Sequence, residues 1–175
     1  MSSHIFVDRR KELADLEKFY EMSKKGIYSG LILYGWRKVG KSTLIDFFLS
    51  NKPGFRINCA WISDPETFCR IIIDELKKLL NDVELVKELK LLLREERNPM
   101  MLLRKTFEIL NEASDYLKDK LIVALDEFHK FIDKMSLRIA RETNKRKDIV
   151  YNDILWMLKD IMEKKKVVAP SLSNG

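Results

Sequence analysis

Eight consecutive residues, Gly35-Trp36-Arg37-Lys38-Val39-Gly40-Lys41-Ser42, follow the pattern of glycine, four variable residues, then glycine, lysine and a hydroxyl residue. That pattern suits a polyphosphate. Glycine lets the backbone come close, and successive N–H groups of Val39 to Thr43 at a helix N-terminus can converge on phosphate oxygens. Lys41 would then reach the β- and γ-phosphates, and the Ser42 hydroxyl would be an oxygen ligand for Mg2+. An ordinary glycine turn is the simpler alternative.

A bound magnesium nucleotide also needs an anchoring carboxylate and a group to orient the attacking water. Asp126 and Glu127 offer both, at the end of the apolar run Leu121-Ile122-Val123-Ala124-Leu125 and 85 residues beyond Lys41. In a parallel sheet the carboxyl ends of the strands open on one crevice, so the two motifs are expected to meet. Asp126 is expected to hold Mg2+ through water, and Glu127 to polarise the nucleophilic water. Alone, an apolar strand ending in two acids has a plainer meaning, the start of a solvated helix.

The elements that must position these groups are legible as periodicity. Asp8 is placed to cap a lead-in helix running to about Lys25, with Leu13, Leu16 and Phe19 on one face and Gly26 at its end. Gly30 to Tyr34 reads as a short buried strand, followed by the glycine loop and a helix over Lys41 to Leu49. A second strand is expected over Phe55 to Ala60, then a helix opened by Ser63-Asp64-Pro65-Glu66, read as a capping box with early proline, and reaching about Leu80. Helical spacing recurs over Val83 to Leu93 and again after Asn98-Pro99, where Leu103, Phe107, Leu110 and Leu117 share a face. Leu121 to Leu125 is a strand covered on both sides. Arg138 to Lys147 reads as a solvated basic loop, Ile149 to Lys165 as a helix, and Val167 to Ala169 as the start of a fourth strand. One domain is expected over residues 1–175: lead-in helix about 8–25, nucleotide-binding core about 30–169 and a short tail 170–175.

Composition narrows the class. Of 175 residues, 46% are hydrophobic and 34% charged, a balance that supports a core beneath an ionised surface rather than disorder. No apolar run reaches membrane-spanning length, and the first residues lack a secretory pattern, so a cytoplasmic location is expected. Cys59 and Cys69 have no metal-ligand spacing and read as buried thiols. Glutamine is absent while Lys, Arg and Glu abound, a surface composition of the kind found in proteins from hot environments. The net charge of +6 permits nucleic-acid contact, yet the cations are interleaved with acids.

Three segments carry a resemblance to a known family: Phe6-Val7-Asp8-Arg9-Arg10-Lys11-Glu12-Leu13, then Leu33 to Leu44, then Leu125-Asp126-Glu127-Phe128-His129. Together they resemble the archaeal ATPase family, within the AAA+ and STAND-like phosphate-loop ATPases that carry a catalytic glutamate. The resemblance spans Phe6 to about Ala169. It implies an α/β three-layer P-loop NTPase fold with a mostly parallel sheet flanked by helices, incomplete at the C-terminal end because relatives usually continue into a further strand and a helical lid. In the usual strand order, Leu31 to Tyr34 would then be an edge. It further implies ATP and Mg2+ as ligands, with Arg9 and Glu12 in a motif that runs beside the adenine pocket. Trp36 and His129 depart from the family pattern, and a surface helix is the simpler account of His129. Ser171, Ser173 and Asn174 fall where a sensor would sit, but a loose tail is the simpler expectation.

The expected activity is MgATP binding and slow hydrolysis, with nucleotide state controlling assembly or a partner. Lys41 and Glu127 are the expected catalytic groups, Gly35 to Thr43 the nucleotide ligands, and Ser42 and Asp126 the metal ligands. Candidate partners are a second copy of the chain and a nucleic acid bound through 138–147, with Arg138, Arg141 and Arg146 as alternative trans-acting arginines. Two rival readings remain open: a non-catalytic nucleotide-dependent scaffold or nucleic-acid binder, and a small-molecule kinase.

Overall fold

The computed structural model describes residues 9–26, 30–34, 40–80, 84–117, 119–164 and 169–173. Helix α1 (Arg10–Lys24) begins after Arg9, and Asp8, expected to cap it, lies outside the described residues. Gly26 ends the helix as expected, at φ +75 with its N–H on the Ser23 carbonyl. Strand β1 (Gly30–Tyr34) and helix α2 (Lys41–Leu49) fall where the sequence puts them. Strand β2 (Gly54–Asn58) is shorter than expected, because residues Cys59–Trp61 turn into a 3-10 helix. Asn58 causes the break, its side chain accepting the Ala60 N–H at 3.0 Å.

Helix α3 (Pro65–Leu79) is capped by Asp64 rather than Ser63. The Asp64 carboxylate accepts the Thr67 N–H at 2.7 Å and its hydroxyl at 2.9 Å, while Ser63 only supports Asp64 from outside. Burial disfavours the charge, yet the Thr67 amide and hydroxyl outweigh it and hold this carboxyl below its ordinary pKa. Asp64→Ala is therefore expected to cost about 1 kcal/mol at neutral pH. A depressed carboxyl pKa adds stability above its unfolded value and loses it as pH falls through the folded value, so the cost should shrink in acid. Urea unfolding of both proteins at the two pH values checks the direction.

Helices α4 (Glu84–Glu95) and α5 (Pro99–Ala113) follow, the latter capped by the Asn98 side chain on the Met100 and Met101 amides. Leu117 does not belong to α5, which passes into a 3-10 turn at Ser114–Tyr116; it still packs against the core. Strand β3 (Ile122–Asp126) leads into α6 (Phe128–Thr143), then α7 (Lys147–Lys164) and strand β4 (Ala169–Ser173). Two expectations are corrected here. Arg138 and Arg141 stand on a helix, not in a loop, because Phe131, Ile132, Met135 and Ile139 bury one face at helical spacing. The segment from 170 is a strand to Ser173 rather than a tail, since parallel pairing on both sides fixes its backbone.

The described strands form one all-parallel sheet in the order β1-β4-β3-β2, with β1 at one edge as the resemblance implies. Parallel neighbours require crossovers, which the helices supply. Alternation then divides the strands between two cores. Phe55, Ile57, Val123 and Leu125 face a large core with α3 to α7, while Ile122 and Ala124 face Leu16 and Tyr20 of α1 and Leu44, Ile45 and Phe48 of α2. The result is three layers, helices on both sides of the sheet. Gly54 is fixed by the close approach of β3: a Cβ there would stand 2.5 Å from the Ile122 carbonyl oxygen.

Candidate functional site

Gly40 opens α2 in the left-handed region, at φ +80, and accepts the Leu44 N–H at 2.9 Å as the first bond of the helix. A side chain would be strained in that conformation. Lys41, Ser42 and Thr43 form the first turn of α2, so their N–H groups belong to the unsatisfied end of a helix, where the macrodipole favours an anion. Gly35, Trp36, Arg37, Lys38 and Val39 lie outside the described residues.

On β3, alternation from Ile122 and Ala124 carries Asp126 to the α2 side of the sheet. There Asp126 Oδ2 accepts the Ser42 hydroxyl at 2.8 Å, joining residues 84 apart in sequence. The Asp126 side chain is 15% exposed. This donor set fits Mg2+: a hydroxyl and a carboxylate are hard oxygen ligands, and a hydroxyl that gives its one hydrogen to Asp126 keeps its lone pairs for a cation. Among the described residues no cluster of three or more His, Cys, Asp or Glu offers another metal site.

Glu127 occupies the N-cap of α6 with φ 58 and ψ 37, a left-handed conformation uncommon for a residue with a side chain. Strain of this kind costs roughly 1–3 kcal/mol and concentrates at functional positions. The turn sets the Glu127 carboxylate directly after Asp126, 2.8 Å from the Lys130 ammonium and 3.8 Å from His129 Nε2. His129 is largely exposed on α6, as the simpler reading has it.

Besides Lys130, two charged residues at the site carry no signal in the sequence, Arg56 and Asp46. Arg56 of β2 donates to both oxygens of Asp46, at 2.7 and 2.9 Å, and to Asp126 Oδ2 at 3.2 Å. Its hydrogen bonds to Asp46, opposed by partial burial and helped by the Asp126 charge, raise its pKa, so it remains a cation. Nearby, burial and then the Asp126 charge push the Cys59 thiol up to about 12, and Cys69 is also buried and free. Both are the inert thiols their context suggests.

Most of the arginine candidates pair with acids of their own segments. Arg9 pairs with Glu12 at 3.1 Å within α1. Arg138 pairs with Glu142 at 2.5 Å, Arg146 with Asp148 at 2.7 Å, and Lys147 with Asp133, so acids balance much of the basic stretch. Arg141 is exposed in the last turn of α6. Ser171 pairs in register with Leu125 and Ser173 with Tyr34, while Asn174 lies outside the described residues. No described helix is long and apolar enough to cross a membrane.

The fold has a solved counterpart in the Walker-type ATPase of Pyrococcus abyssi, with a TM-score of 0.59 at 24% identity over 96% of this chain. The match covers 45% of that protein, so the chain spans less than half its length. An uncharacterized ATP-binding protein of Methanocaldococcus jannaschii is 46% identical over 48 residues, which are 27% of this chain and 76% of that relative. The model of an ATPase domain predominantly from Archaea matches residues 6–169. With that match across nearly its whole length, the chain belongs to this predominantly archaeal ATPase domain family.

Proposed function

We propose that the domain binds MgATP and hydrolyses it slowly, its nucleotide state controlling assembly or a partner. The 2.8 Å contact between Ser42 Oγ and Asp126 Oδ2 carries this reading, because it joins the end of the glycine loop to the acidic strand end. The M. jannaschii relative is described as ATP-binding and the P. abyssi protein as an ATPase, which favours adenine as the base. No guanine-reading Asn-Lys-x-Asp motif occurs in the sequence.

In this reading the loop from Gly35 to Thr43 cradles the phosphates and Lys41 binds the β- and γ-phosphate oxygens. Ser42 and Asp126 hold Mg2+, which neutralises charge on the phosphates when bound. Glu127 accepts a hydrogen bond from the attacking water and orients it toward the γ-phosphorus. Slow turnover is part of this reading because intrinsic phosphate-loop hydrolysis without an arginine finger is feeble, and Arg138, Arg141 and Arg146 all lie on the exposed surface of this chain.

The test is MgATP binding and phosphate release by the purified chain with no acceptor present, beside Lys41→Ala. The variant is expected to bind about tenfold more weakly, the loss of one charge-assisted contact, and to release no phosphate, because Lys41 also stabilises the transferring phosphoryl group. Failure of the wild-type chain to bind MgATP would overturn the proposal. The Glu127–Lys130 pair favours one rival, a nucleotide-dependent scaffold whose glutamate is held by the neighbouring lysine. Its signature is tight binding without release; transfer only to an added acceptor would point to a kinase.

A further inference from the structure

Ser42 and Asp46 stand four residues apart on α2 and so share a face of the helix. That face meets the side of the sheet that carries Arg56 and Asp126, since Phe55 and Ile57 of β2 turn to the opposite core. A chain of contacts results, from Ser42 to Asp126, Asp126 to Arg56 and Arg56 to Asp46, its two ends on one face of α2. Asp126 Oδ2 lies at its centre, accepting both the Ser42 hydroxyl and the Arg56 guanidinium.

The guanidinium therefore approaches the same carboxylate oxygen that the donor set offers to a metal. A cation at Asp126 meets a fixed positive charge, and in a part-buried setting such repulsion is poorly screened. Arg56 is also held unequally. Its bond to Asp126 is single and 3.2 Å long, while its fork on Asp46 has two bonds of 2.7 and 2.9 Å. Planar two-point pairing is the stronger arrangement, so Asp46 retains the guanidinium when Asp126 lets it go.

Building on the MgATP reading, we infer that Arg56 is a positioning residue that occupies Asp126 before nucleotide binds and withdraws onto Asp46 when MgATP arrives. Free divalent cation alone does not displace it. The triphosphate supplies the added negative charge that makes a metal at this oxygen favourable, so metal binding is tied to nucleotide binding by a coupling free energy.

Mn2+, as a paramagnetic stand-in for Mg2+, gives a readout independent of turnover. Free Mn2+ is measured by electron paramagnetic resonance during titration of the whole chain, with and without ATP. Wild type is expected to bind Mn2+ weakly alone and much more tightly with ATP. Arg56→Met should bind Mn2+ alone about tenfold more tightly, as repulsion is removed. Arg56→Lys keeps the charge and should return toward wild type. Asp46→Asn should weaken ATP-dependent Mn2+ binding about fivefold, because the freed guanidinium then pairs fully with Asp126. A purely structural role would move the Arg56→Met and Asp46→Asn variants in the same direction. Asp46 is half exposed, so its variant decides the matter even if Arg56→Met does not fold. Unchanged Mn2+ binding in either folded variant, beside a wild type that takes Mn2+ with ATP, overturns the role of Arg56. A wild type that takes no Mn2+ with ATP overturns the MgATP reading itself, and this role with it.

Discussion

Glu127→Gln is expected to bind MgATP within about twofold of wild type and to release phosphate about 1,000-fold more slowly, within the range for loss of a general base. The amide has the shape of the carboxylate, so the left-handed turn after Asp126 and the start of α6 should persist. What disappears is the charge that orients water. Single-turnover phosphate release separates this from a binding defect, and unchanged release would leave Glu127 as a helix-end residue paired to Lys130. Glu127→Gly sharpens the contrast. Glycine accepts φ 58 without strain, so this variant should be at least as resistant to denaturant as wild type while also losing turnover. A residue kept at a cost in stability, and needed for turnover, is the pattern a catalytic position predicts.

The largest effect on folding is expected at Phe68→Ala, with a loss of about 4 kcal/mol from removal of a buried aromatic side chain. Phe68 is fully buried on α3. Its ring centroid lies 5.0 Å from Phe107 of α5 and also 5.0 Å from Phe131 of α6. One side chain thus ties three helices of the larger core together. Because Phe131 sits one turn into the helix that Glu127 opens, the cavity would also loosen the support of the acidic turn. Domains are commonly stable by only about 5–15 kcal/mol, so this single change removes a large share. Guanidinium unfolding should show a lower midpoint with an unchanged slope. A loss below about 1 kcal/mol would mean that the surrounding side chains collapse into the space.

The parts of this structure written in local sequence were the readable ones. The apolar runs Gly30–Tyr34 and Leu121–Leu125 mark strands β1 and β3 to within a residue, β3 running from Ile122 to Asp126, and Asn98-Pro99 marks the start of α5. A strand end and a loop end predict that Asp126 and Ser42 meet, and the structure brings their side chains together. Features that depend on tertiary placement were hidden. Arg56 in Phe55-Arg56-Ile57-Asn58 looks like the solvent-facing member of an alternating strand; only the β2–β3 pairing and the α2 face turn it toward Asp126. Nothing in Asp126-Glu127-Phe128 marks a left-handed backbone, because that conformation is imposed by the change from strand to helix. At 138–147 the density of charge masked the apolar stripe of α6, and the acids Asp133, Glu142 and Asp148 had to be placed before the local balance was visible.

The order β1-β4-β3-β2 has a consequence for how this domain is made. The strand nearest the C-terminus lies between the strand that feeds the glycine loop and the strand that ends in Asp126. On a ribosome, β2 and β3 can pair while the rest is still being synthesised, but β1 must wait for Ala169–Ser173 to emerge and slip in beside it. Until then the first strand has no neighbour among the described strands, and the glycine loop has no fixed relation to the acidic turn. Pairing over so long a stretch of chain is slow compared with closing a local hairpin. The nascent chain therefore acquires its helices before β4 brings the glycine loop and the acidic turn into one sheet, and the waiting β1 is a segment in need of shelter during synthesis.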